Sequence, residues 1–492
     1  MATLPEQRTK PKQLFSEEFV KKFGKPDPKY LIAGKYGSDD MVRIWGAEKT
    51  MGGVLYVQAV SAYVLGYLYP DVVPPAEAKV LTDTANLSCV SPARIREIEE
   101  KGGHDVVAIN TAWEEEVKKI SQHAAAYINL IKTSADSTES AKALQMQEGL
   151  EVLADSVENL RDILLEKALE WDDIPFMDVT HLYDAVPTVA GRPFVYNALE
   201  LQSDLKRIKF FHDESIMGKW ADATGNYHSA VDMGLDGPMI EDYFCELLGI
   251  RHMDAPAQVP SRKYVGDVYY AISQVAKSTG SLGHFVRWGR SSDVGVFKFP
   301  ANLGKKGSSA MPHKDMMGGN PDKEEQSESM DRVLTGVLAA GMTACSMDYA
   351  RDLTGSALDR INLDVGFKCT DHAVRSMAGV MEKLMINPER SKERVLRTYG
   401  IVTSPRFLAY LTDRRNGEPM ARSDAHNKLG ILATKAYQEK KMFAEVLKAD
   451  PVISAKIPAA RIDELADPLT YLGESKSIVH KVYDALHGKR TF

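Results

Sequence analysis

The chain of 492 residues is long enough for two or three domains and for a large buried core. Its 61 basic against 68 acidic residues leave a formal net charge of −7, which excludes a general attraction to nucleic acid or to an anionic membrane. An anionic substrate therefore needs a local basic pocket of its own. Cys89, Cys245, Cys345 and Cys369 have no paired or metal-like spacing and read as reduced cytosolic thiols, with no disulfide and no zinc.

Residues 1 to about 28, punctuated by Pro5, Pro11, Pro26 and Pro28, read as an extended arm and lack the apolar core of a secretory signal. Lys35 to Trp45 is a turn signal running into a helix expected to start after Asp39-Asp40. The most apolar stretch, Val54 to Tyr69, is interrupted by Gln58 and Ser61 and stops at Pro70, so a buried helix is expected rather than a membrane span. Between 75 and 130 helical segments alternate with turns. In Gly102-Gly103-His104-Asp105-Val106-Val107 the aspartate suits a helix N-terminus, and Lys132-Thr133-Ser134-Ala135-Asp136 is a capping signal that also favours an anion.

From Glu139 to Glu170, Met146, Leu150, Leu153, Val157, Leu160 and Leu164 recur at steps of four and three, a coiled-coil-like seam on a helix of roughly 45 Å. A seam that long argues for a helical bundle and for assembly between subunits. Strand-like alternation is rare, so the fold class is mainly α. Asp178 to Gly191 carries His181, whose ordinary pKa near 6.5 suits proton donation. Ala223 to His228 reads as a turn. Gly304, Gly307, Pro312, Gly318 and Gly319 make residues 304–319 a loop, one able to bring Ser, Lys and Asn over a substrate. Arg351, Ser356 and Arg360, at steps of five and four, are either an ion-paired solvated helix face or two guanidinium forks and a hydroxyl gathered for phosphate. Breaks near Pro405, Pro451, Pro458 and Pro468 punctuate a helical C-terminal region.

The string Gly307-Ser308-Ser309-Ala310-Met311-Pro312-His313-Lys314, followed by Asn320-Pro321 and Glu325, resembles the signature loop of the fumarase and aspartase superfamily. Its wording is most similar to the adenylosuccinate lyase branch. That resemblance implies three helical domains with a long central helix bundle, expected over 1–134, 135–384 and 385–492, and four subunits whose active sites each draw on three chains. It also implies a role for each motif. Lys35-Tyr36, where the family has Arg-Tyr, holds the nucleotide together with Arg351, Ser356 and Arg360. His104, Asp105, Thr133 and Ser134 position the succinyl arm, and Ser309, Met311 and Tyr227 complete the substrate shell. Gly102 stands where the family usually has threonine, and Met316 to Gly319 intervene before Asn320. If those four residues bulge out, Asn320 and Glu325 keep their family roles; if not, Met316 takes the asparagine position.

The chemistry so implied is β-elimination of fumarate from an N-succinyl nucleotide of purine biosynthesis. Ser308 is the general base, Lys314 and Asn320 stabilise the aci-carboxylate, His181 is the general acid, and Glu325 orients it. No metal and no organic cofactor is required, and a cytoplasmic homotetramer is expected. The alternatives are another fumarate-releasing lyase of the argininosuccinate kind, a carboxymuconate cycloisomerase, or a non-catalytic protein on the same scaffold.

Overall fold

The computed structural model describes residues 35–102, 104–301, 311, 313–314 and 318–492. Ser308 and Ser309 of the signature loop lie outside the described residues. Helix α1 (Asp39–Ile44) starts earlier than expected: Ser38 caps it, its Oγ accepting from the Met41 N–H, and Asp39 and Asp40 fall inside the first turn, where acids favour the helix dipole. Helices α2 (Ala47–Leu68), α3 (Pro75–Thr84), α4 (Pro92–Glu100) and α5 (Asp105–Val117) follow, with prolines opening α3 and α4. The apolar stretch lies in α2, which is long and apolar enough to cross a membrane but buries Val54, Leu55, Val57, Ala62, Val64 and Leu65 in the core.

The centre is a bundle of α6 (Ser134–Glu170), α7 (Arg192–Glu214), α10 (Arg262–Arg290), α11 (Asp322–Ala344) and α12 (Thr354–Lys383). Between α7 and α10 lie the shorter α8 (His228–Asp232) and α9 (Gly237–Leu248). Every residue of the expected seam, Met146 to Leu164, is buried. Gly149, beside Leu150 of that seam, permits a close approach: a Cβ there would stand 2.9 Å from the Phe367 ring of α12.

Past α12, α13 (Pro388–Leu396), α14 (Ser404–Thr412), α15 (Arg422–Glu439), α16 (Phe443–Ala449), α17 (Pro451–Lys456) and α18 (Ala459–Ala466) build a second apolar cluster around Phe407, Leu429, Phe443, Ile453 and Ile462. The last helix, α19 (Ser475–Leu486), returns to pack on α6 and α7.

Among the described residues two strand pairings were not expected, a short one of Phe297–Lys298 with Met385–Ile386 and a longer hairpin. β1 (Pro175–Thr180) and β2 (Tyr183–Val189) form an antiparallel hairpin whose two-residue turn is His181-Leu182, at φ of 54° and 65°. The register shifts between Met177 and Val179, and Pro187 sits inside β2, so the period-2 signal that marks a strand is broken.

Candidate active site

At one end of the bundle, α2, α5, α6 and the start of α12 enclose a cleft of about 650 Å³ that His104, Asp105, Ser134, Arg351, Ser356 and Arg360 all line. Six sequence-predicted residues, scattered over 257 positions, thus converge. Thr133 is the N-cap of α6, its N–H donating to the Asp136 carboxylate at 2.7 Å. The other Asp136 oxygen takes the Lys219 ammonium and the Ala221 N–H, which pins the helix start. His104 caps α5 with its Nδ1 2.6 Å from one Asp105 oxygen, while Arg360 donates to the other at 3.0 Å. Arg351 donates to the Gln258 side-chain oxygen at 2.8 Å and keeps Nε buried with no hydrogen-bond partner among the described residues.

Sequence reading missed the polar floor of this cleft. Lys142, on the face of α6 that also carries Ser134, donates to Glu139 at 2.7 Å and Asp359 at 3.2 Å; Arg262 pairs with the same two carboxylates, and the Tyr269 hydroxyl donates to Asp359 at 2.9 Å. Burial pushes the Glu139 carboxyl up, but Lys142 and Arg262 outweigh it and hold the group below its ordinary value. Only the i, i+3 spacing of Glu139 and Lys142 on one helix was visible beforehand.

The expected basic pocket is not basic within one chain. Carboxylates Glu99, Asp105, Glu139, Asp359 and Asp364 outnumber the cations Lys142, Arg351 and Arg360 in the lining.

The remaining candidates lie elsewhere. Lys35 is exposed with its ammonium 5.5 Å from the Tyr36 ring, which meets the His372 ring edge-on at 5.1 Å. Tyr227 does not line the cleft: it holds the left-handed N-cap of α8, and its hydroxyl donates to Glu241. His181 occupies the exposed hairpin tip. Met311 is exposed, and the Lys314 N–H donates to its carbonyl at 3.1 Å. The Lys314 ammonium donates to the Asn320 side-chain oxygen at 3.3 Å. Glu325, in the first turn of α11, faces Arg287 at 3.6 Å and makes no contact with His181 among the described residues.

Helix α10 measures the separation. Its first residue, Arg262, is tied to the cleft floor, and its last, Arg290, to Glu324 and the Gly319 carbonyl beside the Lys314–Asn320 pair. Those ends are about 42 Å apart at 1.5 Å per residue. Within one chain, the cleft and the signature-loop pair cannot meet over one small molecule.

This architecture of long bundled helices, with polar groups gathered in a cleft at one end, is that of a lyase family. The family profile described as Lyase matches residues 37–339, and the chain belongs to that family, within the fumarase and aspartase superfamily. A second profile, described as Adenylosuccinate lyase C-terminus, matches residues 400–482. Adenylosuccinate lyase from Methanocaldococcus jannaschii is 28% identical over 457 residues, covering 93% of this chain and 96% of its own. The Bacillus subtilis adenylosuccinate lyase is 26% identical, covering 88% and 95%. Among solved structures, a fumarate lyase from Mesorhizobium sp. BNC1 superposes with a TM-score of 0.79 at 18% identity, covering 92% of this chain and 99% of its own. A 3-carboxy-cis,cis-muconate lactonizing enzyme from Pseudomonas putida gives 0.80 at 20% identity, covering 94% and 100%. At those identities the superpositions speak for the fold alone.

Proposed function

We propose that this lyase releases fumarate from adenylosuccinate, giving AMP, and acts likewise on the succinyl-aminoimidazole carboxamide ribotide of purine biosynthesis. The observation that carries this reading is the convergence of Arg351, Ser356 and Arg360 with His104 and Ser134 in one cleft. Guanidinium forks suit a phosphate, which an unphosphorylated succinyl substrate lacks. The matches to adenylosuccinate lyases over nine-tenths of the chain point the same way.

In the proposed mechanism Ser308 removes a proton from the carbon beside the remote carboxylate, and the electron pair moves onto that carboxylate. Lys314 and Asn320 stabilise the resulting aci-carboxylate. Its collapse breaks the C–N bond, His181 gives a proton to the departing nitrogen, and fumarate leaves. Glu325 orients His181. Because roughly 42 Å of helix separates the cleft from the loop pair, the working unit is proposed to be a cytoplasmic homotetramer in which each site is assembled from several chains. The cations that the cleft lacks, Lys314 and Lys35 among them, then come from the surrounding subunits.

Fumarate release from adenylosuccinate, run beside argininosuccinate and a Ser308→Ala control, tests this. Release from adenylosuccinate only, abolished by the substitution, is expected. Release from argininosuccinate only would overturn the substrate, and a sedimentation mass of one chain would overturn the shared site.

A further inference from the structure

The Lys314–Asn320 hydrogen bond sets a physical problem: its two residues are six apart in a glycine-rich sequence, so Asn320 is not held beside Lys314 by local chain geometry. Something rigid has to hold the segment's far end. The last residue of α10 does so. The Arg290 side chain is only 10% exposed and pairs with the buried Glu324 carboxylate at the start of α11. A second guanidinium nitrogen donates to the Gly319 carbonyl at 3.1 Å, and the plane lies over the Phe299 ring at 4.4 Å. Phe299 in turn backs Gly318, where a Cβ would come within 2.5 Å of the phenylalanine Cβ. Gly318 and Gly319 both sit at positive φ, 84° and 83°, so the chain turns here in a conformation that other residues resist.

The Gly319 residue is thereby bonded on both sides. Its carbonyl takes the Arg290 donor, and its N–H donates to the Lys314 carbonyl at 2.9 Å. One residue further, Asn320 accepts from the Lys314 ammonium. We propose that Arg290 is a positioning residue for the reaction, holding the Lys314–Asn320 pair in register through Gly319. Its significance for catalysis rests on the fumarate-releasing reading; the anchoring itself does not.

Glu324 and Gly319 call for two donors fixed in one plane, which a lysine cannot supply to both. The decisive variant is therefore Arg290→Lys, which keeps the charge opposite Glu324 and so preserves the fold, with Arg290→Ala beside it. Two readouts are taken on the full chain: steady-state fumarate release, and hydrogen exchange of the peptide spanning residues 311–321. Arg290→Lys is expected to lower kcat by about 10²-fold, the cost of misplacing a catalytic group by about 1 Å, with KM within a few-fold. Millimolar guanidinium ion is expected to restore part of the loss in Arg290→Ala, and exchange in the 311–321 peptide to rise in both variants. Unchanged exchange protection together with kcat within twofold of the parent protein would overturn the proposal. If the parent protein releases no fumarate, the functional reading fails, and the exchange measurement still decides whether Arg290 is the anchor.

Discussion

Arg351 holds Gln258 with one arm of its fork and keeps Nε buried without a partner among the described residues, an arrangement that costs stability until an acceptor arrives. Arg351→Lys is expected to raise KM for adenylosuccinate by about 10- to 100-fold and leave kcat within a few-fold, since a phosphate contact distant from the breaking bond serves ground and transition states alike. Steady-state kinetics check this. Lys132 is a second residue whose state follows from its surroundings. Its ammonium nitrogen is buried with no hydrogen-bond partner among the described residues; burial pushes its pKa down from 10.5 to about 8, and nearby Asp136 only partly opposes the shift. A lysine whose folded pKa is depressed penalises the fold below pH 8, and the penalty fades as pH rises from 8 to 10.5, where the unfolded chain also loses the proton. Lys132→Met is expected to raise the melting temperature at pH 7, reflecting at most about 3 kcal/mol. The gain should shrink by pH 10, as thermal melts across that range will show.

Where α7 packs on α10, a carboxylate is buried. Asp204 accepts from the Ser278 hydroxyl at 2.6 Å and from Arg207 at 2.9 Å, yet burial outweighs both and its pKa is pushed up to about 6. Here the folded state holds its proton more tightly than the unfolded one, so stability falls as pH climbs from about 4 to about 6 and stays reduced above. Asp204→Asn keeps the acceptor for Ser278 and removes the charge. It is expected to raise the melting temperature at pH 7.5 by an amount worth at most about 3 kcal/mol and to have little effect at pH 4.5. The pairing of α6 with α12 joins apolar side chains meeting across Gly149 to the Lys142–Asp359 ion pair at its cleft end.

For the whole molecule, the separation along α10 makes a prediction that single substitutions cannot. Ser308→Ala, in the signature loop, and His104→Ala, in the cleft, are each expected to lose nearly all activity as homo-oligomers. Unfolding, mixing and refolding them together should recover a fraction of activity, because some sites then draw an intact residue from each parent chain. No recovery on mixing would sink the shared site even if a tetramer forms. Much of this molecule was legible beforehand. The seam from Met146 to Leu164 announced its own burial, since apolar steps of three and four define one face of a helix whatever surrounds it. The capping signal at Thr133 and the prolines that open α3, α4 and α17 are likewise local. What could not be read there depends on contacts between distant positions: the bonding of Asp105 to Arg360, the ion-paired floor under Arg351, and the hairpin that carries His181. Local sequence by itself determined the helices and the chemical types carried by the motifs, because backbone propensity and side-chain periodicity act within a few residues. Only tertiary structure decided which of those motifs meet and which stand a bundle length apart, because that is set by how long helices pack against one another.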